Sequence, residues 1–489
     1  MSRSKWKQLF LAILLLPAVG LVLGGIYAAA RFLPDLPTTY EKDDEHFKYG
    51  STGGERESGI PFWIWQAMPQ VCAEHLPGNG YASLGLIYED GKDLPIGVSR
   101  RRNLGLDRVF LNCAACHAST VRKAPGEKAA LYLAMPAHRF DIGAFQTFVF
   151  RCAADSKFRA EYFVPEIERL AGGLSLLDHY VVYPVALSLM RDRLLGLAGR
   201  FEFVKDSPQW GPGRVDTFNA AKVLFNFPMH RIDPRELHAA ADFPSIWNQD
   251  LKRGMQLHWD GNNKMVEERN KSAAFGTGTT PPTIDVTAIG RIENWLRTLR
   301  PPRYPFPVDA ALAARGAPLY QRYCAACHGK SGADFSGDRV AKVTPIAEID
   351  TDRRRLDSYT YELAVNQSTL YAEYPWRFKT FRKTFGYANM PLDGLWLRAP
   401  YLHNGSVPAL RHLLEPASRR PLEFYRGNDV YDAVNVGFVW DVRQINGRQF
   451  FRYDTRLDGN SNRGHEGPAY GTHLPDADKA ALLEHLKTF

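Results

Sequence analysis

Residues 111–117 read LNCAACH and residues 322–329 read RYCAACHG, so one pentapeptide, CAACH, occurs twice. Two thiols three positions apart lie on one helical turn, where they can add to the two vinyl groups of a haem, and the adjacent histidine then reaches the iron. A lone C-x-x-C has rivals, a redox dithiol or half of a zinc site. Two copies, each ending in histidine, favour haem: Cys113, Cys116, Cys324 and Cys327 as attachment points, His117 and His328 as proximal ligands, and two covalently attached haem c as cofactors.

Around these motifs lies a chain of 489 residues, long enough for two or three domains. With 45% apolar and 23% charged residues it packs as a globular protein rather than staying disordered. Its net charge of +8 is spread along the chain without a basic arm, which argues weakly for an acidic partner or a membrane surface and gives no case for nucleic acid. Six cysteines are too few for a disulfide scaffold. The two outside the CAACH motifs, Cys72 and Cys152, form either one disulfide around the first motif or two buried thiols.

At the N-terminus Arg3, Lys5 and Lys7 precede an uncharged stretch from Gln8 to Ala30, apolar from Leu9 onward. Its length predicts an uncleaved transmembrane helix, with a cleaved signal peptide as the alternative. The positive-inside rule then puts the body in the periplasm, tied to the inner membrane by a single N-terminal anchor. Residues 1–33 are thus read as anchor or signal and 34–59, polar and broken by Pro and Gly, as a tether. Residues 60–300 form an N-terminal haem domain, the Pro-rich stretch 301–307 a linker, and 308–489 a C-terminal cytochrome c domain. A short helix is expected over Ala317–Tyr323, with Pro318 in the first turn, and a longer one over Asp476–Phe489. The expected fold is mainly α: two cytochrome c-like haem domains with long loops, preceded by one transmembrane helix.

The sixth iron ligand separates electron transfer from chemistry, because two protein ligands close a haem and an open face admits a small molecule. For the second haem the candidates are Met390, in YANMPLDGLW, and His465, in GNSNRGHEGPAYGT. A thioether before the closing helix and an imidazole serve equally well, so residue chemistry leaves both open.

The stretches LNCAACH, LHWDGNNKMVEERN, LYQRYCAACHG, MPLDGLWLRAPYLHNGSVPAL and FYRGNDVYDAVNVGF, followed by GNSNRGHE, resemble the di-haem c-type family of bacterial cytochrome c peroxidases, MauG and rubber oxygenase A. The resemblance runs from about residue 60 to 489, and APYLHNGSVP with the late GHE segment is most similar to the rubber oxygenase branch. It implies that the second haem is bis-histidine, with His465 favoured over Met390. It also implies a distal face at the first haem lined by aromatic residues. The segment FEFVKDSPQWGPGRVDTFN makes Phe218 the distal candidate and Phe201 a second; Trp210 and Trp295 are candidates for a tryptophan between the haems.

The peroxidase pattern is only partly kept. Trp259, Asp260 and Gly261 are present, but Arg269 stands ten positions after Trp259, where peroxidases carry Gln, and no Glu follows in GTGTTPP. Glu267 and Glu268 are possible substitutes for the missing proton shuttle, against the plainer reading of a solvated or salt-bridged helix face. The expected function is a haem-dependent oxidoreductase that activates dioxygen or peroxide at the first haem and relays electrons through the second. The alternatives are a cytochrome c peroxidase fed by a small redox protein and a pure electron-transfer cytochrome.

Overall fold

The computed structural model describes residues 3–489. Helix makes up 44% and strand 12%, so helices carry the body and short strands pin its loops. The first element, α1 (Arg3–Phe32), is a 30-residue helix. Among the described residues, however, no helix is long and apolar enough to cross a membrane. The side chains from Gln8 to Leu15 lie outside the described set. This corrects the expected transmembrane helix, and the inner-membrane location drawn from it is set aside. The end of α1 instead docks on the body: Arg31 pairs with Asp178, and the Phe32 ring lies over Gly105.

Residues 34–59, expected as a tether, are part of the fold. Strand β1 (Leu36–Pro37) and strand β2 (Ile60–Pro61) flank the hairpin of β3 (Val98–Asn103) and β4 (Leu106–Leu111) in one antiparallel sheet of order β1-β3-β4-β2. The hairpin turns on two residues, Leu104 at φ +51° and Gly105 at φ +76°, the backbone that two-residue turns need. A Cβ on Gly105 would stand 2.4 Å from the Phe32 ring, so glycine also makes room for α1. Between β1 and β2, Phe47 and Tyr49 are fully buried.

Seven later helices position the sites. They are α2 (Cys113–His117), α3 (Thr217–Leu224), α4 (Val266–Gly276), α5 (Val286–Thr298), α6 (Ala310–Tyr323), α7 (Ala325–His328) and α8 (Asp476–Leu486). Helix α6 starts seven residues before the expected Ala317, because the Asp309 carboxylate caps it at the Leu312 amide, 3.0 Å away. Pro318 therefore sits inside the helix. Helices α6 and α8 cross at Gly316, where a Cβ would lie 2.0 Å from the Ala481 carbonyl oxygen. Only glycine permits that approach. The Pro-rich stretch 301–307 is fastened to the C-terminal half: Trp396 donates to the Pro302 carbonyl at 3.0 Å and Tyr304 to that of Ala433 at 2.9 Å.

The largest hydrophobic core runs between the two CAACH segments, joining Ala114 and Ala118 to Ala325 through Trp247, Ile292, Leu296 and Trp396. A second core holds the Cys72–Cys152 disulfide, which resolves the choice left by the sequence and closes a loop around α2. A third is aromatic and gathers Phe218 of α3, Phe275 of α4, Tyr359, Tyr371, Phe378 and Phe381.

Candidate haem sites

Helix α2 is built from its own flanking residue. Asn112 accepts the Ala114 amide at 2.9 Å and donates to the Lys48 and Gly50 carbonyls, so one buried side chain caps the CAACH turn and ties it to the segment before β2. His117 donates from Nδ1 to the Pro244 carbonyl at 2.9 Å, which fixes the ring and leaves Nε2 for a metal. Burial, with the Arg269 guanidinium nearby, pushes His117 down to about 4, so the imidazole is neutral, the ligating form. The ring paired with His117 is Phe243, 6.5 Å between centres.

The second site repeats this plan. Tyr320 donates to the Gly329 carbonyl at 2.6 Å across α6 and α7, and His328 donates from Nδ1 to the Met390 carbonyl at 2.7 Å. Met390 is held there because Asn389 locks its strand: Asn389 accepts from Thr344 at 2.8 Å and donates to the Arg339 carbonyl at 3.0 Å. Facing His328 is His465, with ring centres 6.1 Å apart. That spacing would let the two imidazoles hold one metal ion between them. The His465 loop is pinned by its own amide on the Ile349 carbonyl at 2.9 Å and by the buried Arg420, which donates to the Gly464 carbonyl at 2.9 Å. Burial, with His328 and Arg420 nearby, pushes His465 down to about 3. Its Nδ1 is buried without a hydrogen-bond partner.

The donor set suits covalent haem. Burial pushes the thiols of Cys113, Cys116 and Cys324 up to about 11, 12 and 12 and raises Cys327 as well, an environment that disfavours thiolate and accepts a neutral thioether.

The remaining candidates fall in different places. Phe218 is buried between the Arg355 guanidinium, 4.2 Å from its ring centre, and Tyr359, 4.6 Å away. It shares the aromatic core with Phe275, six residues after Arg269 on α4. Phe201 is not part of that core and pairs with Phe150 and Phe203, 6.1 Å from each. Glu268 is buried, and among the described residues it pairs with no cation. Its carboxylate accepts from Asn263 Nδ2 at 3.0 Å, the Lys379 and Thr380 amides at 2.6 and 3.1 Å, and Thr380 Oγ1 at 2.5 Å. Glu267 is the salt-bridged one, 3.3 Å from Arg253 and 3.7 Å from Arg297. Trp210 packs on Gly143, and Trp295 packs on Phe47 with ring centres 5.1 Å apart.

Two residues escape the sequence reading. Trp247 is 1% exposed, donates to the Leu133 carbonyl at 3.0 Å and lies in the core shared by both CAACH segments. Glu293 is buried on α5 in the stripe Ile289, Ile292, Glu293, Leu296, and its carboxyl is raised, first by burial. A carboxylate at an i, i+3, i+4, i+7 core position was the available signal.

Residues 386–426, which include Met390 and the APYLHNGSVP stretch, match the family model of RoxA-like, cytochrome c-like proteins. The chain is also similar to two proteins of Sinorhizobium fredii (strain NBRC 101917 / NGR234). It is 35% identical to the uncharacterized protein y4iM over 292 residues, covering 50% of this chain and 64% of that protein. It is 26% identical to the uncharacterized protein y4iJ, over 96% of this chain and 97% of that protein. The chain thus spans less than two thirds of the first relative and nearly all of the second. A RoxA-like cytochrome c segment supports a haem-based redox function and covalently bound haem c.

Proposed function

We propose that the chain is a di-haem c-type oxidoreductase that activates dioxygen or peroxide at the first CAACH and relays electrons through the second. The observation that supports this is the asymmetry of the two sites: His328 faces a second imidazole 6.1 Å away, whereas the ring beside His117 is a phenylalanine. Haem, when bound, supplies the one-electron and oxygen chemistry. This chain's residues do the rest. His117 and His328 are oriented by backbone carbonyls, His328 and His465 close the relay site, and the aromatic core of Phe218 and Phe275 excludes water beside α4. Trp247 bridges the two sites within one packed core. The electron donor in this reading is a small redox protein, for which the net charge of +8 suits an acidic surface.

Resting-state electron paramagnetic resonance of the holoprotein tests the reading. One low-spin bis-imidazole signal and one high-spin signal are expected, with carbon monoxide or peroxide shifting only the second. Two low-spin signals insensitive to both reagents would make the chain a pure electron carrier.

A further inference from the structure

We propose that the cavity beside His138 is an anion site that holds a single halide ion, chloride under ordinary conditions, at the seam between the first CAACH segment and the C-terminal half of the chain. His138 is 4% exposed, and among the described residues neither Nδ1 nor Nε2 of its ring has a hydrogen-bond partner. The ring stacks on Phe438, with centres 3.6 Å apart. Together with Phe424, Arg426, Asn428, Phe438 and Trp440 it lines a cavity of about 10 Å³. An imidazole keeps at least one N–H in either charge state, so the ring presents a buried donor with no acceptor. Such a donor is costly unless a water or an ion completes it.

The charges around the cavity favour an anion over a water. Arg426, on the cavity wall, donates to the Asp242 carboxylate at 2.7 Å, and Arg214 lies 4.0 Å from the same carboxylate. Asp429, next to the lining Asn428, is shared by Arg122 at 3.0 Å and Arg139 at 3.2 Å. Each group therefore sets two guanidiniums against one carboxylate, and Arg214 and Arg426 are buried. A guanidinium does not shed its proton to relieve burial. A small anion that accepts from the His138 ring offsets the surplus and fills the empty hydrogen-bonding position at once.

Size and walls set the ligand class. A cavity of about 10 Å³ has room for one water-sized species, which excludes sulfate, phosphate and carboxylic acids. The Phe424, Phe438 and Trp440 walls suit a weakly hydrated, polarisable ion. The position gives the ion a purpose. The Ala137 amide, one residue before His138, donates to the Cys116 carbonyl at 3.0 Å. On the strand that follows α2, Thr120 Oγ1 donates to Asp429 at 2.7 Å, and the Arg122 amide just beyond it donates to the Asp429 carbonyl at 2.6 Å. An ion beside His138 braces this join, independently of what either CAACH carries.

The experiment is thermal unfolding of the holoprotein at fixed ionic strength in sodium chloride and in sodium gluconate, on wild type, His138→Gln and His138→Leu. Chloride is expected to raise the wild-type unfolding temperature by roughly 2–4 °C over gluconate. His138→Gln, which keeps a donor, should retain part of that rise, and His138→Leu should lose it. A wild-type protein indifferent to the anion, or the same rise in His138→Leu as in wild type, overturns the site. If His138→Leu fails to fold, wild-type crystals soaked in sodium bromide carry the test. An anomalous peak at hydrogen-bond distance from the His138 ring is expected, and a map without one there, with the cavity holding a water, overturns the proposal.

Discussion

The two CAACH segments share five residues and the same support for their histidines, yet they face different surroundings. In each, Nδ1 donates to a backbone carbonyl delivered from far along the chain, Pro244 for His117 and Met390 for His328. What differs is the neighbourhood of each ring. His328 is met by His465 on a loop clamped by Arg420, whereas the ring beside His117 is that of Phe243. The thiols and the histidine of each candidate site are local, written in five residues, and only the first carries a side-chain cap, Asn112. In the proposed reading, whether a site is closed or open is decided by residues more than a hundred positions away, which no local pattern announces.

The largest effect that can break this comparison is loss of one site. Cys113→Ser with Cys116→Ser should lower the haem count from two per chain to one by pyridine haemochrome analysis, and Cys324→Ser with Cys327→Ser should do the same from the other side. A count of one in the unaltered chain would remove the comparison altogether. Next in size is opening the closed site. His465→Gly should convert the low-spin centre to high-spin, and added imidazole should restore it. Met390→Leu should leave that signal nearly unchanged, since Met390 contributes its carbonyl, which leucine keeps. The opposite pattern would move the ligand role to Met390.

A third prediction concerns the disulfide. Cys72→Ser with Cys152→Ser releases a loop of sequence separation 80 around α2 and should cost roughly 2–4 kcal/mol, read as a lower denaturant midpoint. The first haem's spectrum should be lost before the second's along the unfolding curve, because the bridge sits in the core beside the first site. Coincident loss would show that the shared core couples the two sites into one unfolding unit.

These regions were legible to different degrees. The CAACH histidines and thiols were readable because haem attachment imposes a short, fixed spacing, and His465 was reachable through resemblance but not through spacing, since it lies 137 residues beyond His328. Residues 34–59 looked like a tether because their polar sequence has no period of its own. Phe47 and Tyr49 are buried there by α2 and α5, partners far along the chain. The start of α6 was misplaced because Pro318 was taken as a beginning, while the real signal was the Asp309 cap. The apolar N-terminal run was read by length alone, and among the described residues no helix meets the requirement of a span.

The smallest expected effect separates two adjacent glutamates that the sequence offered as equals. Glu267 is half-buried and shares its carboxylate between Arg253 and Arg297 at 3.3 and 3.7 Å, a surface arrangement worth ~0–1 kcal/mol. Glu268 is 3% exposed and takes four hydrogen bonds, two of them from the Lys379 and Thr380 amides. Glu268→Gln keeps the shape but turns one acceptor into a donor aimed at those amides, so it should cost about 1–3 kcal/mol, against less than ~1 for Glu267→Gln. Both are measurable as shifts in denaturant midpoint. A Glu268→Gln protein of unchanged stability would show that the 379–380 loop does not depend on this carboxylate.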